Sequence, residues 1–153
     1  MRENWKPLLA ILCFPACGGA LAREVEAPFA PGQQQIQAFA DEIAYRPCPP
    51  NLPAGCEMAV LEGNPKAPGL FTLRIHSLAP FVLPPHSHPR AERVTVLTGA
   101  VHVGFGASVN RATAQKFGAG DYYVNRPSIQ HYVFADEPVT IQITGIGPWV
   151  VEK

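Results

Sequence analysis

His86, Ser87 and His88 set two imidazoles two positions apart, Glu92 follows four residues later, and His131 lies further along the 153-residue chain. On extended backbone, side chains at i and i+2 point the same way, so His86 and His88 can aim at one point while Ser87 faces away. After a turn helped by Pro89, Glu92 opens the next strand and can return a carboxylate to that point. His131 follows the turn Arg126-Pro127-Ser128 and begins a neighbouring strand. Three imidazoles and one carboxylate suit one divalent transition metal (Fe, Mn, Ni, Cu or Zn) in a site with open positions. They suit poorly the all-oxygen shell that Ca or Mg prefers. Glu92 is also the candidate catalytic acid/base, since it stays near the metal.

Such a site needs strands to hold it. From Glu57 onward, short runs of β-branched and aromatic residues alternate with Gly, Pro and Asn, the pattern of an all-β sandwich or barrel. The runs predict strands over 58–62, 71–77, 81–83, 93–97, 100–105, 121–124, 131–134, 139–144 and 149–151. Gly63-Asn64-Pro65, Thr98-Gly99 and Asp136-Glu137-Pro138 supply the turns. No helical period interrupts them. The strands must therefore pair antiparallel, because parallel pairing would need crossover helices. The segment Ile36 to Tyr45 reads as a short helix or a short strand.

Other residues are candidates for a substrate pocket. Arg74 either points into the barrel to meet an anionic group or forms a salt bridge on the sheet exterior. Alternation turns one of Tyr122 and Tyr123 inward, where a hydroxyl could position substrate or transfer a proton. Gln142 lies between Ile141 and Ile143 and so takes the opposite face, lining either a pocket or a solvated surface. His76 and His102 fall off the motif and read as structural or surface residues. Trp149 reads as closing one barrel end or an oligomer contact. Serine nucleophile elbows, phosphate loops and dinucleotide fingerprints are absent, which argues against phosphoryl transfer and nicotinamide-dependent hydride transfer.

Length fits one domain. With 47% apolar residues, 16% charged residues and zero formal charge, the chain has neither a disordered character nor a basic surface for nucleic acid. Arg2 and Lys6, the apolar run from Leu8 to Phe14 and the closing Ala20-Leu21-Ala22 read as a signal peptide over residues 1–22, cleaved after Ala22. A lipid anchor at Cys17 is the less favoured alternative. The apolar run is too short to span a bilayer, and no transmembrane segment is expected. Export places the protein in the periplasm or outside the cell, and leaves Cys48 and Cys56 in an oxidising compartment where a local disulfide can form. The chain thus divides into the signal peptide, an arm over 23–56 and a β-domain over 57–153.

The histidine-bearing stretches carry a resemblance to the cupin superfamily, whose motifs are G-x5-H-x-H-x3,4-E-x6-G and G-x5-P-x-G-x2-H-x3-N. His86, His88, Glu92 and Gly99 match the first, with Pro80 at its opening glycine. Gly120 and His131 match the second, while Arg126, Ser128 and Ala135 stand at its proline, glycine and asparagine. All four family metal positions are filled, and the departures fall on turn and support residues. The run from Pro84 to Gly104 and the closing Gly145-Ile146-Gly147-Pro148-Trp149 are similar to a group of exported bacterial single-domain cupins of the cupin-2 type. The resemblance implies an antiparallel jelly-roll β-barrel (RmlC-like), one metal and a small organic ligand in the barrel mouth. It implies metal-dependent chemistry of dioxygenase type, or alternatively an isomerase, lyase or decarboxylase, or a non-catalytic periplasmic binding module. It also implies a homodimer formed through the arm from Arg23 to Ile43.

Overall fold

The structure, a computed structural model, describes residues 29–52, 54–78 and 80–153. The expected signal peptide and Cys17 lie outside them. Among the described residues ten strands follow in order: β1 (Arg46–Pro47), β2 (Cys56–Gly63), β3 (Gly69–Ser77), β4 (Phe81–His86), β5 (Glu92–Thr98), β6 (Ala100–Phe105), β7 (Gln115–Gly118), β8 (Tyr122–Asn125), β9 (His131–Ala135) and β10 (Val139–Gly147). All pairings are antiparallel. Six strands form one sheet in the order β1-β2-β3-β10-β5-β8, and four form the other in the order β4-β9-β6-β7. The architecture is an all-β, two-sheet antiparallel jelly roll. Among the described residues no helix is long and apolar enough to cross a membrane.

Alternation builds the core. Along β3, Phe71, Leu73 and Ile75 are buried while Thr72, Arg74 and His76 between them are not. β10 repeats this with Val139, Ile141 and Ile143, and β5 with Val94 and Val96. Val101, Val103, Val133 and Ala135 of the smaller sheet complete one continuous cluster between the layers. Burying each such side chain stabilises the fold by about 1.5–3 kcal/mol. The turn at Gly99 is tight: φ is +70°, and a Cβ there would overlap the carbonyl oxygen of Pro138, so only glycine fits.

Several sequence expectations change. Ile36 to Tyr45 forms neither helix nor strand; it runs along the outside of the larger sheet and turns where Glu42 N donates to Phe39 O at 3.0 Å. The expected strand at 149–151 is absent: Trp149 N donates to Pro65 O and the following Glu152 makes an isolated bridge with Ser87, so no ladder forms. Conversely, β7 lies inside the 20-residue stretch between Gly99 and Gly120. Cys48 and Cys56 are joined by a disulfide with Cα atoms 5.5 Å apart, fastening the arm to the start of β2.

Candidate metal centre

Strand pairing assembles the centre. His86 ends β4 and is the register partner of His131, which opens β9. Glu92 opens β5 opposite Asn125 at the end of β8. His88 lies just beyond β4, where the carbonyl of the same residue accepts from Ser128 N at 2.8 Å, tying the first histidine segment to the turn before His131. The four side chains are 1–6% exposed.

The imidazoles converge. Ring centroids are 4.3 Å apart for His86 and His131, 5.0 Å for His86 and His88, and 5.3 Å for His88 and His131. Each Nδ1 meets a backbone carbonyl: Pro84 O at 2.8 Å from His86, Val150 O at 2.7 Å from His88, and Ile129 O at 3.0 Å from His131. A carbonyl can only accept, so each Nδ1 carries a hydrogen, and in the neutral ring Nε2 is the nitrogen that offers a lone pair. The Nε2 atoms of His88 and His131 are buried and have no hydrogen-bond partner. Buried orphan acceptors are costly, and three histidines with ligand atoms within 4.8 Å of one another are the arrangement a metal would satisfy. These residues fit a transition metal and could hold one.

Glu92 stands beside this triad. Its Oε1 is 3.4 Å from His88 Nε2, and its Oε2 is 3.7 Å from His131 Nε2. Burial by itself would raise its pKa, but His131, the charge of His88 and the Asn125 amide together outweigh burial and hold the carboxyl below its ordinary value. Burial, reinforced by the neighbouring histidines, takes His86 down from 6.5 to about 4. The first shift favours an ionised carboxylate and the second a neutral His86, and a cation held here would take over the positive charge that Glu92 otherwise finds in its histidine neighbours.

A cavity of about 30 Å³ adjoins the triad, lined by His86, Glu92 and Tyr123 among apolar residues that include Val94, Ile143 and Trp149. Tyr123 turns inward, and burial, aided by the Glu92 charge, raises its pKa; Tyr122 is exposed on the outer face. Arg74 and Gln142 do not reach this cavity. They lie on the exterior of the larger sheet, where Arg74 Nε donates to Gln142 Oε1 at 3.0 Å. His76 shares that face and contacts Thr140. His102 stacks on Phe134 at 4.7 Å, on the other sheet.

Two neighbours of Glu92 escaped the sequence reading. Asn125 sits two residues after Tyr123 and shares its face, but which tyrosine turns inward depends on register, so alternation alone left Asn125 open as well. Trp149 donates from Nε1 to Glu92 Oε1 at 3.2 Å. Its segment forms no strand, so nothing periodic pointed to this contact.

No family model matches the chain. Germin-like protein 5-1 of Oryza sativa subsp. japonica is 41% identical over 73 residues, which are 44% of this chain and 33% of that protein. The chain thus spans about a third of the length of the curated relatives it matches. Among solved structures, an RmlC-like cupin from Shewanella frigidimarina superposes with a TM-score of 0.57 at 16% identity, covering 76% of this chain and 95% of that one. The polyketide cyclase RemF from Streptomyces resistomycificus gives 0.60 at 12% identity, covering 76% and 83%. In its two-sheet strand order and its likeness to these proteins, the chain is a cupin by fold.

Proposed function

We propose that the protein is a metal-dependent enzyme that acts on a small organic molecule, with dioxygen-dependent cleavage as the leading reaction class. The observation that carries this reading is the convergence of three buried imidazoles whose Nδ1 atoms are committed to backbone carbonyls. His86, His88 and His131 would hold the metal, with Glu92 as fourth ligand or adjacent base. Bound there, Fe, Mn, Ni, Cu or Zn would supply a Lewis-acid or redox centre with open positions. The chain's own groups divide the remaining work. Glu92, kept ionised, accepts a proton; Tyr123, kept protonated, donates a hydrogen bond into the same cavity. Val94, Ile143 and their apolar neighbours exclude bulk water, which strengthens both interactions.

The likeness to a polyketide cyclase supports the wider view that this fold also houses chemistry other than oxygenation, so isomerase, lyase and decarboxylase reactions use the same residues in the alternative form of the proposal. A second reading, a non-catalytic module that binds metal or a small ligand, is favoured by the small cavity, which has room for about one water-sized molecule. Elemental analysis of protein purified from its own compartment, followed by oxygen uptake over phenolic, diketone and uronate panels, separates these readings. Stoichiometric metal with substrate-dependent uptake is expected. Metal without turnover of any kind favours the binding module, and failure to retain metal after reconstitution overturns the metal-based readings.

The proposal includes export to the periplasm or beyond. The signal-like N-terminus supports it, and so does the Cys48–Cys56 disulfide, a bond that persists in oxidising compartments. A homodimer formed through the arm completes the proposal, supported by the exposed Phe29 and Phe39 on that arm.

A further inference from the structure

The segment Pro148–Glu152, which follows β10, converges on the metal centre from outside the strands. The Trp149 indole lies nearly parallel to the His88 ring, with centroids 5.6 Å apart and planes 20° apart, and Nε1–H donates to Glu92 Oε1 at 3.2 Å. The next residue supplies the carbonyl that accepts from His88 Nδ1 at 2.7 Å. Glu152 exchanges two backbone hydrogen bonds with Ser87, the residue between the two histidines, at 2.8 and 2.9 Å. From the other side, buried Asn125 donates from Nδ2 to Glu92 Oε2 at 3.0 Å.

Glu92 is therefore gripped at both oxygens. Each oxygen receives one N–H donor and faces one histidine Nε2. An ionised carboxylate has about four acceptor sites, so one donor on each oxygen fixes its plane and leaves lone pairs for the histidine side. Trp149 also lines two small cavities, the one beside the triad and another of about 10 Å³ beside Phe71, Pro89 and Gly145.

We propose that Trp149 and Asn125 are positioning residues for Glu92, and that docking of the segment Pro148–Glu152 and binding of the metal are mutually coupled. The inference rests on the metal-centre reading above. Whatever orients His88 and Glu92 raises affinity for the cation, and by linkage the cation holds the segment in return.

Cobalt(II) titration of the full chain tests this, with visible absorption reporting the geometry around the bound ion. W149F keeps an aromatic ring over His88 and removes the donor; N125A removes the other donor. Each is expected to weaken cobalt(II) binding about tenfold and to shift the absorption bands, with W149A weaker than W149F. A measurement on the unsubstituted protein covers the case in which a variant fails to fold. Zinc addition should move the Trp149 indole N–H resonance and slow hydrogen exchange over residues 149–152. Affinities within twofold of wild type with unchanged spectra, or an indole resonance that zinc leaves in place, overturn the inference while leaving the metal centre standing. A wild-type chain that binds neither cobalt nor zinc overturns the metal-centre reading, and this inference with it.

Discussion

The three histidines are chemically equivalent in sequence but differ in how they are held. His86 and His131 each donate Nδ1–H to the carbonyl two residues before them, whereas His88 depends on Val150, 62 residues away. Replacing any of the three by alanine removes a ligand and should abolish stoichiometric metal retention, read by elemental analysis after dialysis. Ser87→Ala provides the contrast. Its hydroxyl reaches only the exposed Glu152 carboxylate at 3.3 Å, so metal content should stay at the wild-type level; a loss comparable to His88→Ala would contradict the strand geometry. The same residues set a pH dependence for the metal-free protein. His86 in the folded state has its pKa lowered from 6.5 to about 4, so the unfolded chain takes up the proton first. Stability falls as pH drops from about 6.5 to about 4 and is fully present above that window. The lowered Glu92 pKa acts in the same direction at its acidic end. Urea denaturation of metal-free protein between pH 4 and 7 should show this slope, and stability that rises toward pH 4 would contradict the assigned protonation states.

At the scale of elements, the turn before β9 is where the chain departs from the family motif. Ser128 stands at the motif glycine and adopts φ of 60°, in the left-handed region that disfavours residues carrying a Cβ. The turn keeps its shape because Ser128 N is bonded to His88 O. Ser128→Gly should relieve this strain, offset in part by glycine's greater unfolded-state freedom, for a net gain of about 0.5–1 kcal/mol. The shift in urea midpoint measures it; a destabilised variant would show that the serine side chain itself supports the turn. Most strands were legible because buried and open positions alternate from Phe71 to Ile75 and from Val139 to Ile143. Alternation also put Arg74 opposite Leu73 and Ile75, and Gln142 opposite Ile141 and Ile143, but it left open which face lines a pocket; burial of the apolar set decides that both point outward. β7 was not legible: Gln115 and Lys116 are exposed and only Phe117 packs against the core, so the four-residue edge strand has no alternation to mark it. The contact of Trp149 with Glu92 depends on where a non-repetitive segment crosses the sheet, which spacing does not encode.

For the whole molecule, the arm is held in two different ways. At its inner end the Cys48–Cys56 disulfide closes a short loop, and Cys56 belongs to the core cluster together with Leu52. The chain-entropy estimate for a loop of this size is about 2–3 kcal/mol, so reduction should lower stability by that amount while β2 stays paired to β3; an unchanged denaturation midpoint under reductant would assign the bond no stabilising role. At its outer end the arm is poorly seated. Phe29 is 52% and Phe39 57% exposed, and grooves of about 270 and 470 Å³ remain between residues 29–44 and the outer face of the larger sheet. Apolar side chains left open beside unfilled grooves mark a surface that a second chain can cover. A second copy that packs against this face would bury both phenylalanines and fill the grooves. Deleting residues 29–44 should then reduce a dimeric mass in light scattering to that of the monomer. The metal centre lies on the inner side of the sheets, so metal content should be retained. A deletion variant that keeps the dimer mass would remove the arm from the assembly and move the interface elsewhere on the barrel.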